Sequence, residues 1–178
     1  RILAEFARET TGSVVQIFNL VDGLPSEEIC IQLGRDVPLL TNVDVLETDP
    51  ADGHILVRWT RPLAEDLDTL QNPGPYRFEL LRAEGFAAGG FTPVPGAVFT
   101  SPTFSGLTDT VFIDSTGLNT QDNPYTYKVD FFVQSDQLIE NNSTASSIFL
   151  STAPSDNTSN LSWQEETPWS NFAYVVFR

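Results

Sequence analysis

Ile55-Leu-Val-Arg-Trp59, running on to Tyr76-Arg-Phe-Glu-Leu-Leu-Arg82, carries the architecture because its pattern returns later in the chain. Ser159-Asn-Leu-Ser-Trp163 leads in the same way to Phe172-Ala-Tyr-Val-Val-Phe-Arg178. Trp59 and Trp163 stand 104 residues apart, and each opens a strand–loop–strand unit closing on aromatic or aliphatic residues and an Arg. A spacing near a hundred residues is a domain length, too long for one turn of a solenoid. The chain therefore reads as tandem modules.

Outward from Trp59, apolar residues recur with period two and not with the 3.6 period of a helix. Val43 and Val45 alternate in one strand, Ile55, Val57 and Trp59 in the next, and Tyr76, Phe78 and Leu80 in a third. Val111 and Ile113 pair up, Tyr125, Tyr127, Val129 and Phe131 share the face of a long strand, and Ser146 to Thr152 carries Ile148 and Leu150. Turn formers separate these runs, among them Asp49-Pro-Ala-Asp-Gly53, Asn72-Pro-Gly-Pro75 and Gln121-Asp-Asn-Pro124. Pro removes a ladder donor and Gly admits positive φ, and both end strands. Short strands at regular spacing imply an all-β, antiparallel β-sandwich whose two sheets bury one face each. A complete module is expected over residues 37–152. Residues 1–36 read as the last strands of a preceding module, with Ser26 to Leu33 as one of them, and 153–178 as the first strands of a following one. Pro38 and Ala153-Pro-Ser-Asp-Asn157 read as the linkers between them.

Composition narrows the function classes. An apolar share of 40% with thirteen Phe, four Tyr and three Trp is ample for a packed core. A formal net charge of -15 with a single lysine, Lys128, argues against nucleic acid, whose phosphates need basic patches. The same charge opposes anionic membrane surfaces, and no run of about 18 apolar residues is present to insert in a bilayer. Having no Met and opening at Arg1 in strand-like sequence, the chain reads as an excerpt of a longer protein. Cys30 lies in the strand-like run Glu27-Glu-Ile-Cys-Ile-Gln-Leu33. It reads as a small buried hydrophobe, the alternative being a disulfide to a partner upstream.

The motifs resemble a fibronectin type III module, an immunoglobulin-like sandwich. Trp59 sits on the second strand, Tyr76 to Arg82 forms the third, and Leu118 precedes Tyr125-Thr-Tyr-Lys-Val129. The resemblance implies that Trp59 seeds the core and that Tyr125 closes a corner onto the upstream backbone beside Leu118. Tyr127 and, in the next module, Trp163 join the core set. Across the whole chain the wording is similar to repeats of large secreted Bacteroidota proteins. Arg35-Asp-Val-Pro-Leu-Leu-Thr-Asn-Val43, Gln71-Asn-Pro-Gly-Pro-Tyr76 and Phe112-Ile-Asp-Ser-Thr-Gly-Leu-Asn119 carry that likeness. Such proteins end in a gliding-motility-associated sorting domain read by the type IX secretion system. The likeness implies an extracellular or cell-surface location, neighbouring modules of the same chain and the secretion machinery as partners. It also makes Thr69, Thr110 and Ser115 candidates for O-glycosylation, in Asp68-Thr-Leu70, Asp109-Thr-Val111 and Asp114-Ser-Thr116.

Catalytic chemistry finds little to work with. His54 is the single histidine, at a strand start after Gly53, so a Ser-His-Asp triad lacks support, and one His with one Cys makes no zinc site. Glu65, Asp66 and Asp68 cluster on the loop after the second strand. A carboxylate pair can hydrolyse glycosides and a denser cluster can hold calcium, but a solvated acidic loop is the simpler reading. Calcium ligation by these three, or by Asp49 and Asp52, stays open, and no other cofactor is expected. Phe86, Phe91, Phe99 and Phe104 lie in the long connection after the third strand. They read as residues folded over the sheet, with an exposed binding patch as the alternative. The expectation is a non-catalytic spacer and adhesion module with surface proteins or glycans as possible ligands. Two alternatives are an accessory module of a secreted polysaccharide-degrading enzyme and a calcium-dependent glycan-binding adhesin.

Overall fold

A computed structural model describes residues 5–6, 21–22, 37–63, 67–86, 89–139, 143–171 and 173–176. The chain divides into two compact units, Arg1–Leu33 and Gly34–Arg178. Within the first, β1 (Glu5–Phe6) pairs antiparallel with β2 (Val21–Asp22). The strand expected over Ser26 to Leu33, with Cys30, lies outside the described residues.

The second unit is all-β and antiparallel. β3 (Leu39–Glu47), β4 (Gly53–Thr60) and β7 (Val111–Leu118) form one sheet in the order β3-β4-β7. The other is built from β5 (Tyr76–Glu84), β6 (Thr92–Ser101), β8 (Tyr125–Val133), β9 (Gln137–Ile139) and β10 (Thr144–Ser146). Its order is β10-β8-β5-β6, with β9 also on β8. Period-two alternation gives each sheet one apolar face, and the two faces meet in a sandwich-like core. Ile55, Val57 and Trp59 supply one side; Phe78, Leu80, Tyr127, Val129 and Phe131 supply the other. Trp59 packs edge-on to Phe78 at 6.2 Å between ring centroids and against Phe99 at 5.7 Å. Its Nε1–H is buried without a hydrogen-bond partner among the described residues.

β6 lies in the stretch read from the sequence as the long connection after the third strand, and it forms although Thr92-Pro-Val-Pro-Gly96 holds two prolines and a glycine. It is an edge strand, a place in a sheet where prolines are tolerated, and prolines there blunt the edge against further pairing. Its Phe99 turns inward beside Trp59 and Phe112, and Phe104, on the 3-10 turn Phe104–Gly106, packs on Tyr76 and Phe131. The core role expected of these two rings is the one they take.

The run Ser146 to Thr152 is not one strand. β10 ends at Ser146, and β11 (Phe149–Ser155) leaves the sheet to pair with β12 (Thr158–Gln164). Ala153 to Asn157, expected as a linker, therefore belongs to a hairpin whose turn is Asp156-Asn157, with Asn157 at φ 59. Asn tolerates that left-handed conformation better than most residues. In this hairpin Leu150 stands opposite Trp163, just as Leu40 stands opposite Trp59 in β3–β4.

Candidate functional site

Three polar arrangements and one cleft carry the chemistry of the second unit. The first is a corner. Tyr125 begins β8, and its hydroxyl accepts a hydrogen bond from the Asn119 backbone N–H at 2.9 Å, with Leu118 buried beside the start of that turn. The backbone amide of Tyr125 donates to Ser147 Oγ at 3.0 Å, which ties β8 to the residue after β10. A matching approach at the other end of the turn fixes Gly53: a Cβ there would stand 2.1 Å from Thr120 Oγ1. That hydroxyl donates to the Glu47 carbonyl at 2.8 Å and accepts from the Asp49 N–H at 3.0 Å.

The second arrangement crosses between the sheets. Asp114 on β7 is fully buried, and its Oδ2 accepts from Arg82 Nη1 at 2.7 Å and from the Tyr127 hydroxyl at 3.0 Å. Thr116 Oγ1 donates to Asp114 Oδ1 at 2.7 Å and accepts from Arg82 at 3.0 Å. Burial, with the Asp114 charge adding to it, pushes the Tyr127 hydroxyl far above its ordinary range, so it stays a donor. A carboxylate so enclosed is held in place by its partners and has no open side for substrate. It staples the two layers.

The third is the set of acidic loops. Asp49 Oδ1 accepts from the backbone N–H groups of Ala51 and Asp52, both at 2.8 Å. Those two donors hold its carboxyl below the ordinary value of 3.8. Asp68 Oδ1 accepts from the backbone N–H groups of Leu70 and Gln71, at 2.9 and 3.3 Å. Both side chains are thus used to close turns. Glu65 and Asp66 lie outside the described residues, and among the described residues no group of three or more His, Cys, Asp or Glu converges on a point. His54 Nδ1 meets Glu47 at 2.8 Å on the partly exposed outer side of β4.

Of the residues expected in a core, Trp59, Leu118, Tyr125 and Tyr127 are buried. Trp163 is not: it is 39% exposed. Among the described residues its hairpin forms a two-stranded sheet of its own, and its described ring contact is Tyr174, 5.0 Å away. The candidate modification sites are placed without being brought together. Thr69 is exposed on its loop, Thr110 is half-buried with its carbonyl accepting from Trp59 N–H, and Ser115 is exposed on β7.

The cleft was not foreseen. After β12 the chain doubles back to β10, where the Ser146 N–H donates to the Glu166 carbonyl at 2.7 Å and the Glu166 N–H to Ser146 Oγ at 2.6 Å. Trp169 then packs, half-buried, against the sandwich core. Between this returning segment and the hairpin opens a space of about 820 Å³ bounded by Trp163, Gln164, Glu165, Glu166, Trp169 and Tyr174. Glu165 Oε1 accepts from the Tyr174 hydroxyl at 2.5 Å and from Asn171 Nδ2. The bond to Glu165 raises the Tyr174 hydroxyl above its ordinary range. Only the clustering of two Trp and one Tyr within twelve residues signals the cleft in the sequence.

No protein-family model matches the chain, and neither a curated protein nor a solved structure matches it significantly.

Proposed function

We propose that this chain is a stretch of fibronectin type III-like tandem repeats, acting without catalysis as spacer and interaction module of a large secreted or cell-surface protein. The observation that carries the reading is the recurrence of one device, a hairpin holding a Leu opposite a Trp, at Leu40–Trp59 and again at Leu150–Trp163. Recurrence at a module's length favours serial repetition over a single folded enzyme. Strand order β3-β4-β7 against β10-β8-β5-β6, and the Tyr125 corner, support the fibronectin type III likeness. Type IX export and an adhesive role follow from the likeness to Bacteroidota surface repeats. A spacer needs resistance to extension. Two sheets stapled through Asp114 and a hairpin tied back to β10 through Glu166 would supply it.

Mechanical pulling of the full chain tests this. A spacer gives one cooperative rupture of the region from Leu39 to Ser146, releasing about 35 nm of contour length. A featureless extension, or turnover of a polysaccharide by the purified chain, would overturn the proposal.

A further inference from the structure

We infer that the segment from Glu165 to Trp169 is a latch, which docks on the edge of β10 and holds the β11–β12 hairpin at one fixed angle to the sandwich before it. Modules joined in one chain move relative to each other unless the linker or an interface prevents it. Here both do.

The linker is short and anchored. β10 ends at Ser146 and β11 begins at Phe149, so only Ser147 and Ile148 connect them. Ser147 is buried and tied twice to Tyr125. Its N–H donates to the Tyr125 carbonyl at 2.8 Å, and its Oγ accepts from the Tyr125 N–H at 3.0 Å. Ile148 alone is left between that anchor and the hairpin. A connection of this length has none of the reach of a flexible coil.

The interface forms on a sheet edge. β10 is the last strand in the order β10-β8-β5-β6, and an open edge pairs readily with another strand. Ser146 is 1% exposed, so its N–H and its hydroxyl both need partners within the protein. The Glu166 backbone supplies both: its carbonyl accepts from Ser146 N–H at 2.7 Å, and its N–H donates to Ser146 Oγ at 2.6 Å. Three residues on, Trp169 packs half-buried against the sandwich core. Thr167 Oγ1 closes the intervening turn by donating to the Trp169 carbonyl at 2.8 Å.

These ties act together. Phe149 and Gln164 pair at the base of the hairpin, so the ties at Ser147 and Glu166 restrain it through both strands. One tether permits rotation; two, with the Trp169 ring seated on the core, do not. The inference rests on the tandem-module reading, in which the hairpin belongs to the following module. The latch then makes successive modules a rod and not a string of hinged beads. Pulling reads rupture of the sandwich and says nothing of the joint, so the two fail separately.

The test is a distance measurement by paired nitroxide labels in the full chain. Labels go on Ser115→Cys in β7 and Ser162→Cys in β12, both exposed, with Cys30→Ser removing the native thiol. One narrow distance peak is expected. Trp169→Ala should broaden it while circular dichroism shows the strands intact. Glu166→Pro, which lacks the N–H and alters no sandwich residue, should do the same. A broad distribution in the unsubstituted latch would overturn the inference. So would a narrow peak that survives both substitutions, or a discrete distance from chains labelled at Ser162 alone, which would mean that a second copy holds the hairpin.

Discussion

The β3–β4 and β11–β12 hairpins each set a Leu opposite a Trp in antiparallel pairing, and the two tryptophans have opposite surroundings. Trp59 is 3% exposed beneath Phe78 and Phe99, whereas Trp163 is 39% exposed and leans on Tyr174 alone among the described rings. Local sequence makes the hairpin; a second layer makes it a core. What differs is the strand pair β5–β6, which brings Phe78 and Phe99 over the first hairpin.

The largest expected effect breaks the comparison at its centre. Trp59→Ala should cost about 3–5 kcal/mol and abolish cooperative unfolding of the sandwich, because it opens a cavity that neighbouring rings cannot fill. Trp163→Ala, the same substitution on the matching hairpin, should cost about 1 kcal/mol or less. Denaturant titrations followed by circular dichroism check both, and equal costs would mean that the second Trp is as covered as the first.

The staple between layers comes next. Asp114→Ala leaves Arg82 and the Tyr127 hydroxyl without their shared acceptor and should destabilise by about 3 kcal/mol. Among the described residues β11 and β12 carry no ion pair, so the loss should fall on the sandwich and leave Trp163 fluorescence unchanged. Fluorescence and circular dichroism recorded on one sample separate the two regions.

The smallest effect lies in the hairpin turns. Asp49 caps the β3–β4 turn, and its folded carboxyl titrates below the ordinary 3.8. A depressed folded value means stability that is present above 3.8 and is lost as pH falls through the lowered value. Asp49→Asn should therefore flatten the acid limb of the stability profile of the sandwich by a small amount, since the group is exposed. An unchanged slope below pH 3.8 would show that the two backbone donors do not discriminate its charge states.

The parts legible from sequence are those with strong local patterns. Trp59, Tyr76, Phe78 and the Tyr125 to Phe131 alternation point inward because a strand's side chains alternate, and that needs no tertiary knowledge. β6 stayed hidden because its prolines speak against a strand unless one knows that it lies at an edge. The Asp114 staple was equally hidden. Asp114 and Arg82 stand 32 residues apart, and each reads as an ordinary polar strand residue until the sheets are superposed. The cleft depends on a chain reversal after β12 whose residues, Glu165-Glu-Thr-Pro-Trp169, have no periodicity to read. Charge and turn chemistry explain where Asp49 and Asp68 sit, but their roles as turn caps emerge only from hydrogen-bond geometry.

Native-state hydrogen exchange resolved by segment is the most direct test of the difference between the two hairpins. Amides of β4, Gly53–Thr60, should exchange only through global unfolding, while those of β12, Thr158–Gln164, should exchange through a much cheaper local opening. Equal protection in the two strands would contradict the account, because it would place both tryptophans in completed cores.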